Sequence, residues 1–101
     1  MVKIVWTTRA LIDLQEIAEY ISRDSFQYAV ITLEKLMEAS VFLESNPFIG
    51  RKVPEINDAS IREIIIGSYR VIYKTVHKSQ VNILTVHHSA RLLKKSTIKR
   101  R

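Results

Sequence analysis

Between Ser60 and Val76 the chain reads SIREIIIGSYRVIYKTV, an apolar hairpin interrupted by Arg62, Glu63, Arg70 and Lys74. Cations beside a carboxylate can bind a phosphate, move a proton or simply hold one another in ion pairs. Which of these applies depends on which side chains share a face. Gly67 and Ser68 make a two-residue turn, because Gly tolerates the positive φ that primed hairpin turns require. Counting outward from it pairs Ile66 with Tyr69, Ile65 with Arg70, Ile64 with Val71, Glu63 with Ile72 and Arg62 with Tyr73. One face then carries Arg62, Ile64, Ile66, Tyr69, Val71 and Tyr73; the other carries Ile61, Glu63, Ile65, Arg70, Ile72 and Lys74. Arg70 therefore points away from Arg62 and lies diagonal to Glu63. Further on, His87 and His88 are adjacent and fall on opposite faces of a strand, which argues against a two-histidine metal site. The chain has no cysteine, so there is no thiolate site either, and no metal or cofactor is expected.

The first hairpin face is apolar except at its end and should cover helices. Lys3 to Trp6 is a short β-rich run, after which Thr7 or Thr8 offers a hydroxyl cap. Leu11, Leu14, Ile17, Ala18 and Ile21 then recur at helical spacing. RDSFQ breaks this pattern, Asp24 or Ser25 caps again, and Ala29, Leu33, Leu36, Met37, Ser40 and Leu43 form a second stripe. From Asn46 to Ser60 both prolines and many turn formers gather, which reads as a long loop shaped by Gly50 and Pro54. Glu55 in that loop is expected to bond backbone amides or pair with Arg62. Ile61 to Ile66, Tyr69 to Val76 and Gln80 to His88 read as strands. The expected fold is α+β in the order β-α-α-β-β-β, a helical hairpin on a small antiparallel sheet, with Trp6, Tyr20, Tyr69 and Tyr73 in the core.

A chain of 101 residues supports one domain. Residues 1–93 are expected to form it, and 94–101, KKSTIKRR, a basic tail. An apolar content of 47% excludes a disordered chain. Charges at Lys3, Arg9 and Asp13 break any run long enough for a secretory signal or membrane span. The lack of cysteine fits a reducing cytoplasm. Residues 1–48 carry four basic against seven acidic side chains, a net of −3, whereas residues 49–101 carry twelve against three, a net of +9. The second half should attract an anionic partner, nucleic acid or acidic polypeptide.

IVWTTRALIDLQEIAEYI, NPFIGRKVPE, IRE, YRVIYK and VHHSAR, in this order and spacing, resemble the RelE/ParE superfamily of bacterial type II toxins, also described as plasmid stabilization proteins. The likeness runs from Lys3 to about Leu93. It implies the same β-α-α-β-β-β fold and an acidic antitoxin that wraps and blocks the toxin. It also implies one of two activities: RelE-like members cut messenger RNA on the ribosome, and ParE-like members inhibit DNA gyrase. Fold alone cannot choose between them.

RNA cleavage without a metal needs a base, an acid and cations for the charge on phosphorus. RelE-like nucleases carry two lysines on the strand before the YR element, an arginine within it, another after the last strand and a C-terminal tyrosine. This chain keeps Arg70 and Arg91, has Ile61 and Glu63 at the lysine places, and has no tyrosine after Tyr73. A second arrangement in the superfamily, Glu with Arg and a C-terminal His, corresponds here to Glu55 as base, Arg70 and His88 as acid, with Arg91 for phosphate. The leading expectation is a ParE-like toxin that grips its target through Arg91, Lys94 and Lys95. The alternatives are the ribosome-dependent nuclease and an inactive homologue that only binds antitoxin.

Overall fold

Helices begin where the sequence offers an acceptor for their unpaired first amides. In the computed structural model, which describes residues 1–89, Thr7 is extended and its hydroxyl accepts from the Ala10 amide, opening α1 (Thr8–Ser22). Ser25 accepts likewise from Tyr28 and opens α2 (Phe26–Ser45). Thr7 also ties the helix to the sheet, donating to the Ile83 and Leu84 carbonyls.

The strands are β1 (Lys3–Trp6), β2 (Arg51–Lys52), β3 (Ile61–Ile66), β4 (Tyr69–His77) and β5 (Gln80–His88), in the sheet order β1-β5-β4-β3-β2. The β3–β4 register matches the pairs counted from the turn, from Ile66↔Tyr69 to Arg62↔Tyr73, and Gly67 takes φ +58°. Two features differ from the sequence expectation. β1 pairs with β5 in parallel, so the sheet is mixed. Within the segment read as loop throughout, Arg51 and Lys52 form an edge strand opposite Glu63 and Arg62.

Each sheet face has its own apolar cluster. On the helix side, Ala10 and Leu14 of α1 and Leu36 and Leu43 of α2 pack on Val71, Tyr73, Val81, Ile83 and Val86. Leu11 and Met37, placed in the stripes by spacing, are exposed; Ala10, Thr32 and Ala39 are buried in α1 and α2. The buried stripes thus keep Leu14, Leu36 and Leu43 and add these smaller residues. Tyr20, expected in the core, is 70% exposed. On the opposite side, Val53 and Ile56 pack over Ile61, Ile72 and Leu84. That face is therefore roofed by the 53–56 segment. Burying one such aliphatic side chain contributes about 1.5–3 kcal/mol, which holds an otherwise irregular segment in place. Among the described residues no helix is long and apolar enough to cross a membrane.

Tyr73 joins the core to the loop. It is fully buried, and its hydroxyl oxygen accepts from the Gly50 amide at 2.9 Å. A Cβ at Gly50 would lie 2.6 Å from that oxygen and 2.7 Å from the Glu63 carbonyl, so only glycine fits. Burial pushes the Tyr73 phenol above its ordinary value of 10.0, against the opposing hydrogen bond from Gly50 and the nearby Arg62 charge. A raised folded-state value means that the stability carried by the neutral phenol is complete below pH 10 and lost as pH rises above it. Tyr73→Phe leaves the Gly50 amide unpaired and should lower stability at neutral pH by about 1–3 kcal/mol while flattening the loss above pH 10. Denaturant unfolding across pH checks both effects.

Candidate functional site

A buried carboxylate must be paired or neutralised. Glu63 on β3 is 1% exposed and meets two guanidinium groups, accepting from Arg70 Nε at 2.6 Å and from Arg51 Nε at 2.6 Å. The register explains the first contact, since Ile65↔Arg70 and Glu63↔Ile72 place Glu63 diagonal to Arg70 on one face. The second follows from β2, where Arg51 stands directly opposite Glu63. Arg70, 5% exposed, turns its outer edge to Glu55: Nη1 and Nη2 donate to the two Glu55 oxygens at 2.8 Å each. The result is a chain of alternating charge, Arg51–Glu63–Arg70–Glu55, across β2, β3, β4 and the loop.

This arrangement fixes the chemistry available to Arg70. Its proton is held more tightly than usual, chiefly by the hydrogen bonds to Glu55, with burial opposing and Glu63 adding to the effect. Its Nε, Nη1 and Nη2 are each directed at a carboxylate, the geometry of a structural clamp. Glu55 pairs with Arg70 and not with Arg62, whose Nη1 donates instead to the Gly50 carbonyl at 2.9 Å. Ile61, at the place of a RelE-like lysine, is buried against Val53 and Ile56.

The structure brings Glu55 and Arg70 together and sets His88 apart from them. His88 is the register partner of Tyr69 and meets its ring edge-on at 5.8 Å, so it belongs to the helix-side face; Arg70 stands opposite His87. Arg91, Lys94 and Lys95 lie outside the described residues, as does the basic tail. Gly50 and Gly67 occupy a close approach and a positive-φ turn, and Pro54 is exposed in the loop. Among the described residues no three His, Asp or Glu side chains gather as metal ligands.

The helix-side face carries two grooves that sequence spacing does not show. One, of about 580 Å³, lies between α1 and β5 and is lined by Asp13, Ile17, Tyr20, Tyr69 and His88. A second, of about 260 Å³, opens at the tip of the helical hairpin among Tyr28, Ile31, Lys35 and Ser68. Asp13 secures the first: its carboxylate accepts from the Thr85 hydroxyl and, at 3.0 Å, from the Val86 amide. The strand irregularity at Ile72/Tyr73 precedes this contact, and no local signal in the sequence marks it.

Two helices packed on a mixed five-stranded sheet define a small α+β protein. The chain belongs to the ParE toxin family of type II toxin-antitoxin systems, whose family model matches residues 4–93. It is 35% identical to Toxin RelE2 of Caulobacter vibrioides over 92 residues, covering 91% of this chain and 100% of that protein. Among solved structures, a chain of the chromosomal ParDE system from P. aeruginosa is similar at a TM-score of 0.71 and 19% identity, over 87% of this chain and 96% of that one. A chain of the RelBE2 toxin-antitoxin complex from Mycobacterium tuberculosis is similar at 0.62 and 22%, over 86% and 96%. At those identities the two structures establish the shared fold.

Removing one partner of a buried ion pair leaves the other charge uncompensated. Arg70→Ala should therefore lower stability by about 3–5 kcal/mol, whereas Arg51→Ala, which removes an exposed side chain and leaves Glu63 its Arg70 partner, should cost less. Urea unfolding of the two variants measures the difference.

Proposed function

We propose that this toxin inhibits growth by binding a protein target, with DNA gyrase as the candidate that its ParE-like character offers, and that it does not cut RNA. The observation that carries the reading is the Arg51–Glu63–Arg70–Glu55 chain, buried at Glu63 and Arg70. A nuclease of this fold needs unengaged cations where charge develops on phosphorus. Here a carboxylate and an isoleucine occupy the two lysine places, and Arg70 is directed at two carboxylates. Arg91, Lys94 and Lys95 are assigned as target contacts by their charge.

A cognate acidic antitoxin completes the system. Its apolar side chains would enter the helix-side grooves beside Tyr20, Tyr28 and Tyr69. Its carboxylates would be drawn to the half of the chain that carries the net +9.

The reading is tested with a variant that removes both buried charges together, while Glu55 and Arg51 keep contact with solvent. Replacing a buried ion pair by apolar residues of similar volume is often neutral or stabilising by about 1–4 kcal/mol. Arg70→Leu/Glu63→Leu should therefore stay folded and, induced without antitoxin, should still arrest growth. DNA supercoiling should change early and mRNA should remain intact. Early mRNA loss in the parent, abolished in the folded double variant, would establish the nuclease instead.

A further inference from the structure

Asn46 to Lys52 joins α2 to the sheet edge, and at its tip Phe48 is 65% exposed and Ile49 57% exposed. Two adjacent large apolar side chains in water are the reverse of what a loop tip needs for its own stability. The tip is nevertheless held from both ends. Asn46 Nδ2 donates to the Phe42 carbonyl at 3.0 Å, and the Ile49 amide donates to the Asn46 carbonyl at 3.2 Å. Gly50 is locked between Tyr73 and Arg62, by 2.9 Å hydrogen bonds through its amide and its carbonyl. The Arg62 guanidinium carbon lies 5.9 Å from the Phe48 ring centroid, a cation–π contact that orients the ring.

An aromatic and an aliphatic side chain displayed on an immobilised backbone are preordered for binding, so little entropy is lost when they are covered. Shape and charge narrow the occupant. The two side chains protrude and take no part in the walls of the helix-side grooves. A protruding pair fits a cavity on a folded partner, whereas the grooves suit an incoming segment. Arg62 lies against Phe48 and the exposed Lys52 follows three residues after Ile49, which calls for an acidic rim on that partner. Nucleic acid fits less well: of the two displayed side chains only Phe48 carries a ring, one face of that ring is already taken by Arg62, and Ile49 offers none for a base.

We propose that the Phe48–Ile49 tip is an anchor by which the toxin docks into an acid-rimmed apolar pocket on the folded surface of its protein target. This rests on the binding reading given under Proposed function. It adds a second contact region, on the sheet edge, to the C-terminal cations.

Both side chains lie on the surface, so Phe48→Ala/Ile49→Ala should melt like the parent by circular dichroism. Induced without antitoxin, it should need on the order of 30-fold more toxin for half-maximal growth arrest, as expected for loss of an interface hot spot. It should still co-purify with its antitoxin. Lys52→Glu, which reverses a charge beside the tip, should weaken growth arrest in the same direction. Undiminished arrest by both variants, with mRNA intact, overturns the anchor and leaves the binding reading standing. Loss of antitoxin binding together with arrest in folded protein also overturns it, because the tip would then belong to the antitoxin interface. Early mRNA cleavage by the parent overturns the binding reading and the anchor with it.

Discussion

The carboxylate of Glu63 is the constraint around which the sheet's outer face is arranged. A charge with 1% exposure must be compensated on more than one side, and Arg70 and Arg51 do so from neighbouring strands. Compensation creates a second requirement, since Arg70 is itself buried and carries donors beyond the one given to Glu63. Glu55 meets that requirement, and in doing so fastens the segment that contains Val53 and Ile56 over Ile61, Ile72 and Leu84. The polar chain and the small apolar cluster thus support each other. The charges fix where the loop sits, and the apolar contacts exclude the water that would weaken the charges.

This coupling bears on how one fold serves two activities. Part of the outer sheet face is here covered by Val53 and Ile56, and its buried charges are paired with one another. What remains open is elsewhere: concave grooves lined by tyrosines beside the helices, and a protruding apolar tip at the β2 edge.

Much of the fold was legible because its signals are local. Gly67–Ser68 fixed the β3–β4 register by counting, and Thr7 or Thr8 and Asp24 or Ser25 marked the helix starts, of which Thr7 and Ser25 are the caps. From that register the diagonal meeting of Glu63 with Arg70 followed. What sequence did not disclose depends on distant segments. Whether the outer face was wet or roofed turned on Val53 and Ile56, whose loop carries no periodic pattern. Glu55 reached Arg70 instead of Arg62 because that loop crosses the outer face, while Arg62 stays with Gly50. His88 was grouped with Arg70 by family likeness, but cross-strand pairing sets it opposite Tyr69 and gives Arg70 the neighbour His87. The exposure of Tyr20 and Met37 escaped helical periodicity because burial in the helices falls on Ala10, Leu14, Thr32, Leu36, Ala39 and Leu43 instead.

The central claim is that Arg70 and Glu63 serve the fold as a coupled pair, and a double-mutant cycle measures it directly. Stabilities of the parent, Arg70→Leu, Glu63→Leu and the double variant would be obtained from urea unfolding. The account predicts that each single change destabilises by several kcal/mol, about 3–5 for a broken buried pair. It predicts that the double change recovers most of that loss, so that the coupling energy exceeds the loss from either single change. Single changes with little effect on stability, adding without coupling in the double variant, would contradict it.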